Sequence, residues 1–438
     1  MTTASLSTMT KMWRISRILA AIIVFIALMN SDKSFGYSVL THEEIIDLMW
    51  IQEIRPILLE RFPHLSEDQI KEAHAYAYGG SVIQDLGYYP FGNKEFSNLT
   101  HYVRSGDFVA ELIRESRDAN EYAFALGALS HYTSDTAGHP AINQSVAIAY
   151  PKLRAKYGKS VRYAQDKTAH LKTEFGFDTL QVAKNRYASQ QYHDFIGFKV
   201  SEPLLERVFP VVYGMELKDV LKNEDLAVGS YRFFISRLIP QMTRVALETH
   251  KKDLIREKPD FARQKFLYRL SRSDYEREWS KTYTKSGLGT RILATILRCI
   301  PKVGPFKGLG FNNPTPQTED LYIKSIDIAT NHYRAFLEEA RAGKLVLPNR
   351  DLDSGELTKS EEYSLADETY ANLLAELAFG KFSRTSPQLR DNIIAFYSGV
   401  ALPIETQKEK SRSHEVLSNL DQLKSASLEP SVAVGIAQ

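Results

Sequence analysis

The sequence predicts an all-α protein. Three observations carry that expectation: apolar residues recur at helical spacing in segment after segment, a capping box opens one of those segments, and the first half holds no alternating strand pattern with hairpin turns. The first helix is expected over 43 to about 55, with Ile45, Leu48, Met49, Ile51 and Ile54 on its apolar face, Glu43 and Glu44 in its first turn, and His42 just before it. Gln52 interrupts that stripe, and Pro56 should end or kink the helix before Ile57, Leu58 and Leu59 resume the pattern. Ser66-Glu67-Asp68-Gln69 has capping-box spacing and opens a second helix to about 87, with Asp85 at its end. An aromatic turn, Gly87-Tyr88-Tyr89-Pro90-Phe91-Gly92, follows. His101 begins a third helix, and 119 to about 139 forms the fourth. Further helices are expected over 204–213, 229–252, 258–272, 318–341, 366–379 and 387–397.

Composition removes several function classes. A net charge of +2 over 438 residues is too mild for a nucleic-acid-binding surface. The single cysteine, Cys299, rules out an internal disulfide framework and a cysteine-based zinc finger, so metal ligands must be His, Asp, Glu, water or main chain. Lys11, Arg14 and Arg17 precede an apolar run over 18–29, which is the pattern of an export signal. The run is short for a membrane span, and small residues at Ser34 and Gly36 favour cleavage before Tyr37, with an uncleaved anchor as the alternative. Either way the body is expected outside the cytosol, periplasmic or secreted.

The chemistry is concentrated in a few histidines and carboxylates. His131, Asp135 and His139 recur every four residues and so share one helix face, and His170 and Glu174 repeat the device on a second helix. The approach to His131 is Phe124-Ala125-Leu126-Gly127-Ala128-Leu129, so the helix should be buried, and buried ionisable side chains are rare unless paired or metal-bound. With His42, Asp85 and His101 these residues read as a polynuclear metal site. Imidazole plus carboxylate suits zinc, which turns water into a nucleophile near neutral pH. That chemistry points to a hydrolase.

Residues 281–317 contain no acidic side chain, while Lys285, Arg291, Arg298, Lys302 and Lys307 alternate with apolar residues. This stretch is either a surface hairpin or a membrane-contacting element, centred on 285–311. Four regions are expected: a signal peptide over 1–36, a catalytic domain over 37–200, a helical extension over 201–403, and a polar, disordered tail over 404–438.

In order along the chain, Tyr37, His42, Asp85, His101, His131, Asp135, His139, His170 and Glu174 resemble the superfamily that joins bacterial zinc-dependent phospholipases C, single-strand-specific fungal nucleases and the zinc domain of glycosylphosphatidylinositol-specific phospholipase D. The resemblance covers residues 37–178. It implies a multi-helix phospholipase C-like domain and up to three zinc ions. Asp85, His101, His131 and Asp135 would hold one ion, and His139, His170 and Glu174 a second. His42, a bridging Asp135, and the α-amine and carbonyl of a mature Tyr37 would hold the third. Asp178 is a weaker alternative ligand. Glu174 resembles the phospholipase C branch, whereas the four-residue step from Asp135 to His139 resembles the phospholipase D branch. Two features depart from the family: Tyr stands where its first residue is usually Trp, and the disulfides of the nuclease branch are impossible here.

The activity so implied is hydrolysis of phospholipid headgroup phosphodiesters by metal-activated water. Asp85 is the candidate to orient or deprotonate that water, and Tyr88, Tyr89 and Phe91 are the candidates to contact substrate. A nuclease or nucleotidase is the alternative enzyme, but no stacking platform or basic groove is evident, and no stable nucleic-acid complex is expected. A non-catalytic cell-envelope metal-binding protein is the alternative of another class.

Overall fold

The structure is a computed structural model that describes residues 39–183, 196–235, 314–398 and 407–426. Among these residues the fold is all-α, and the one β feature is an isolated bridge between Arg350 and Leu357. The leader over 1–36, Tyr37, the helix expected over 258–272 and the basic stretch over 285–311 lie outside the described residues.

The chain forms two compact units. One, the ligand unit, comprises His42–Ala141, Phe195–Arg232 and Tyr322–Gln438; the other comprises Met1–Thr41, Ile142–Asp194 and Phe233–Leu321. Residues from 322 onward therefore share a unit with most of the candidate ligands.

The helix bearing His42 starts earlier than its local pattern implied. It spans Val39–Met49, passes through a π-helical turn at Trp50–Ile54, and continues as Arg55–Arg61. His42 thus lies inside the helix rather than before it. Asp178 explains the early start: its carboxylate accepts the Leu40 N–H at 3.3 Å and the Thr41 hydroxyl at 3.4 Å, capping the helix from far along the chain. The π turn, closed by the Arg55 N–H on the Trp50 carbonyl, accommodates Pro56, which has no N–H to offer. The extra residue keeps Ile54, Ile57 and Leu58 buried with Ile45, Ile46, Met49 and Trp50 and leaves Gln52 exposed, which accounts for the broken stripe.

The capping box forms as its spacing predicts: Ser66 N–H donates to Gln69 Oε1 at 2.9 Å, and Gln69 N–H to Ser66 Oγ at 3.3 Å. The helix it opens spans Glu67–Gly80, shorter than expected, and Asp85 sits in a separate 3-10 turn, Ile83–Tyr88. The two segments part where the helix crosses the long helix Ala119–Ala149 at near backbone contact. A Cβ on Gly80 would stand 1.9 Å from the Phe124 carbonyl oxygen, and one on Gly127 would stand 2.2 Å from that of Ala77. Only glycine permits this approach.

His101 lies in the last turn of its helix, Lys94–Tyr102, not at its start, because Asn93 caps the helix by accepting the Glu95 N–H at 3.0 Å. The chain then turns sharply at Arg104, whose φ of 51° is in the left-handed region. Its guanidinium holds the turn, donating to the Val212 carbonyl and to Asp107, both at 2.7 Å. The helix bearing His131 runs past 139 to Ala149, through Pro140. The Thr136 carbonyl, whose helical partner Pro140 removes, faces Gly355, where a Cβ would stand 2.4 Å from it.

Later helices span Glu202–Tyr213, Pro316–Arg341, Ser364–Phe379 and Pro387–Phe396, near their expected bounds, whereas the helix expected over 229–252 begins earlier, as Glu224–Phe233, and 236–252 lie outside the described residues. Gln407–Ser425 is a helix where a disordered tail was expected. Its polar composition hides a sparse stripe, Val416, Leu420 and Leu423, that is buried. Arg412 fastens it to the helix Ser364–Phe379 by donating to the Glu368 carbonyl and Asn372 Oδ1, both at 3.1 Å.

The helix crossing yields a paired test. Gly127→Ala forces a methyl into a backbone carbonyl and should cost about 1–3 kcal/mol of stability. Gly229→Ala lies in a helix with open space around it and should stabilise by about 0.5–1 kcal/mol. Urea unfolding of both variants checks this, and equal midpoints would show that the crossing is not close-packed.

Candidate metal centre

Four elements bring their side chains together around Asp135. The long helix supplies His131 and Asp135, the 3-10 turn supplies Asp85, and the end of Lys94–Tyr102 supplies His101; His42 comes from the helix before the π turn. His42, Asp85, His101, His131 and Asp135 are all buried. Asp135 Oδ1 lies 3.3 Å from His42 Nε2, and its Oδ2 lies 3.1 Å from His131 Nε2 and 3.5 Å from His101 Nε2. Asp85 Oδ1 lies 3.3 Å from His101 Nε2. Ligand atoms of His42, His131 and Asp135 fall within 4.8 Å of one another, and so do those of Asp85, His101 and His131.

Hydrogen bonds on the far side of two rings fix what these atoms offer. His131 Nδ1 lies 3.0 Å from the Ser81 carbonyl, and His101 Nδ1 lies 2.7 Å from that of Ser97. A carbonyl only accepts, so each Nδ1 carries the proton and each Nε2 presents a lone pair. Those lone pairs face carboxylate oxygens, which are also acceptors. His101 Nε2, His131 Nε2, Asp85 Oδ1 and both Asp135 oxygens accordingly make no hydrogen bond among the described residues. Buried polar atoms are almost always bonded. Acceptors facing acceptors need a proton or a cation between them, and a nitrogen and oxygen donor set with no sulfur suits zinc.

The polar residues between these ligands are satisfied within their own helix. Ser134 Oγ donates to the Ser130 carbonyl at 2.6 Å, and Thr136 Oγ1 to that of Tyr132 at 2.8 Å. The segment can therefore be buried with only its ligand atoms uncommitted.

His139 belongs to neither triad. It turns towards the loop after the helix Pro316–Arg341, with Nδ1 2.7 Å from the Leu352 carbonyl and 3.6 Å from Asp353 Oδ1. Nothing local in the sequence marks Asp351 and Asp353, yet both are buried here. Burial, and then the adjacent Asp353 carboxylate, push Asp351 up to about 7. In the other unit His170 and Glu174 pair at 2.8 Å between Nδ1 and Oε1, while His170 Nε2 lies 2.9 Å from Asn143 Oδ1. Asp178 is engaged in capping the first helix.

The aromatic turn divides. Tyr88 lies beside His101 with ring centroids 5.8 Å apart, and Tyr89 is buried against Tyr231 at 5.2 Å. Phe91 is 62 % exposed and has a positive φ of 63°. Another buried histidine, His74, is stacked 3.8 Å from Trp50 and paired with Asp47 at 3.1 Å, which makes it a satisfied core residue.

Charge in the cluster follows from this packing. Burial alone would depress the His101 imidazole, but the carboxylates of Asp135 and Asp85 outweigh it and hold the pKa well above the ordinary value. For His42, burial and then the neighbouring His131 lower it. Asp135 would be raised by burial, yet the surrounding imidazoles, His131 first, hold it well below the ordinary carboxylate range.

A cation entering the cluster must displace the proton from His101, so apparent zinc affinity should rise with pH, by about tenfold per unit for each proton displaced. Metal-free stability moves the opposite way with pH. A raised imidazole contributes fully below its ordinary value of about 6.5, and the contribution is lost as pH rises through the raised one. The Tm difference between zinc-loaded and chelated protein should therefore widen from about pH 6 to about pH 8. A pH-independent difference would show that no proton is displaced.

Substitutions separate the ligands. Asp135→Asn should reduce zinc content by more than one ion, because one carboxylate oxygen faces His42 and the other faces His131 and His101, and an amide carries no charge to bridge two cations. His42→Ala should cost about one ion. Metal analysis of both purified variants is the check, and full zinc content in Asp135→Asn would show that the bridge is misassigned.

Comparison with known proteins agrees with this donor set. Residues 41–223 match the family model described as zinc dependent phospholipase C, a span that includes every candidate ligand except Tyr37. No curated protein and no solved structure matches the chain. The match over residues 41–223 supports placing this segment in the zinc-dependent phospholipase C superfamily.

Proposed function

We propose that the protein is a zinc-dependent phosphodiesterase that hydrolyses phospholipid headgroup esters. The observation that carries this reading is the buried group of imidazole lone pairs and carboxylates around Asp135, inside the family-matched segment. Up to three zinc ions would be held by His42, Asp85, His101, His131, Asp135, His139, His170 and Glu174, with the main chain of Tyr37 completing the set. Bound zinc would supply Lewis acidity towards the phosphate and a nucleophile near neutral pH.

The chain's own groups then have separate tasks. Asp85 would orient the attacking water and take its proton, because its carboxylate reaches the cluster from a turn rather than from the long helix. Ser97 and Ser81 carbonyls keep His101 and His131 in the tautomer that presents Nε2. Tyr88, beside His101, and the exposed Phe91 would contact headgroup and glycerol, whereas the buried Tyr89 supports the turn. The expected site of action is exported, periplasmic or secreted, with peripheral membrane contact through 285–311. Among the described residues no helix is long and apolar enough to cross a membrane.

The test is hydrolysis by zinc-loaded protein of phosphatidylcholine vesicles, bis-p-nitrophenyl phosphate and single-stranded DNA, with and without chelator. The expected outcome is chelator-sensitive release of phosphorylated headgroup, and an Asp85→Asn variant slower by about 100-fold or more. Cleavage of DNA with inert lipid would shift the activity to nucleic acid, and no hydrolysis of any phosphodiester by zinc-loaded protein would overturn the enzyme reading.

A further inference from the structure

The loop that follows the helix Pro316–Arg341 does more than cover the ligand unit. Its residue Leu352 is bonded twice to the ligand-bearing helices: its N–H donates to the His101 carbonyl at 3.2 Å, and its carbonyl accepts from His139 Nδ1 at 2.7 Å. The next residue, Asp353, is buried, with Oδ1 3.6 Å from the same His139 nitrogen. Its Oδ2 accepts hydroxyl protons from Tyr102 at 2.8 Å and Tyr363 at 2.5 Å. Asp353 N–H in turn donates to Asp351 Oδ1 at 2.9 Å. The carboxylate is thus held by two tyrosine hydroxyls on one oxygen, with the other oxygen turned towards an imidazole.

From this geometry we infer that Asp353 is a positioning residue for His139, a carboxylate behind a histidine ligand, supplied from outside the family-matched segment. The inference rests on reading His139 as a zinc ligand. A proton on Nδ1, held by the Leu352 carbonyl and facing the Asp353 carboxylate, leaves Nε2 as the donor and raises its basicity. Tyr102 adjoins His101 in sequence, so the same carboxylate also ties the end of the His101 helix to the loop. The loop is anchored independently of any metal: Asn349 Oδ1 accepts the Gly106 and Asp107 N–H groups at 3.0 and 3.1 Å, and the Pro348 carbonyl accepts the Tyr132 hydroxyl at 2.7 Å. Removing the Asp353 charge should therefore loosen the metal while leaving the loop docked.

The experiment is a chelator-competition titration of zinc on the full-length protein, with wild type, Asp353→Asn, His139→Ala and the double variant, beside Tm with zinc and with chelator. Asparagine can still accept from both tyrosines but carries no charge. Asp353→Asn should weaken the His139-dependent zinc by about 10- to 100-fold, shrink the zinc-induced rise in Tm, and leave the chelated Tm close to wild type. In the His139→Ala background it should have no further effect on zinc. Should Asp353→Asn fold poorly, Tyr363→Phe removes one donor from the carboxylate and should weaken the same zinc by a smaller factor. If Asp353→Asn lowers zinc affinity equally with and without His139, or leaves it unchanged while His139→Ala lowers it, the positioning role is wrong and the metal reading stands. If His139→Ala itself leaves zinc binding unchanged, His139 is not a ligand, and the inference falls with that assignment.

Discussion

Everything in the ligand unit depends on how the Asp135 carboxylate is neutralised. It is fully buried among His42, His101 and His131, and the ion-pair partners of Asp85 and Asp135 among the described residues are all histidines. A buried carboxylate costs several kcal/mol unless a charge of opposite sign is close. Two of the imidazoles present lone pairs to it, because their other nitrogens donate to main-chain carbonyls. Without metal, the arrangement must bind a proton, and the raised His101 is the result. With metal, the same atoms satisfy a cation directly, so the geometry that destabilises the empty cluster is the geometry that selects for a filled one.

The fold can be read as the means of holding that geometry. Glycines at 80 and 127 bring two backbones into contact, which sets the 3-10 turn of Asp85 over the start of the His131 segment. The left-handed turn at Arg104 ends the His101 helix and sends the next one away. A π turn allows the helix carrying His42 to pass Pro56 without losing its buried face. The loop around Leu352 then closes over His101 and His139 from far along the chain. The first three devices place candidate ligands through their backbone, and main-chain carbonyls then orient the rings of His101, His131 and His139.

The parts legible in the sequence were those encoded over four residues or fewer. The period of His131, Asp135 and His139, the box at Ser66 and Gln69, and the apolar faces of Glu202–Tyr213 and Ser364–Phe379 all depend on neighbours along one helix. What was not legible depends on partners distant in sequence. Asp178 extends the first helix to Val39, Asn93 rather than the local apolar pattern starts the His101 helix, and the last helix forms on three apolar residues that composition alone hides. Asp353 is the clearest case: an ordinary loop aspartate in sequence, it is buried beside His139 through two tyrosine hydroxyls. Candidate ligands could be named by residue type and order, but the groups packed behind them could not.

The central claim is that cations occupy the space between Asp135 and its histidines. Anomalous diffraction across the zinc absorption edge, from crystals of the zinc-loaded protein, measures this without reference to any activity. The account predicts zinc peaks bridged by Asp135, one towards His42 and one towards His101 and Asp85, with metal–nitrogen distances of about 2.0–2.1 Å. Zinc peaks confined to surface side chains, with His101 Nε2 hydrogen-bonded through a proton to Asp85, would contradict it.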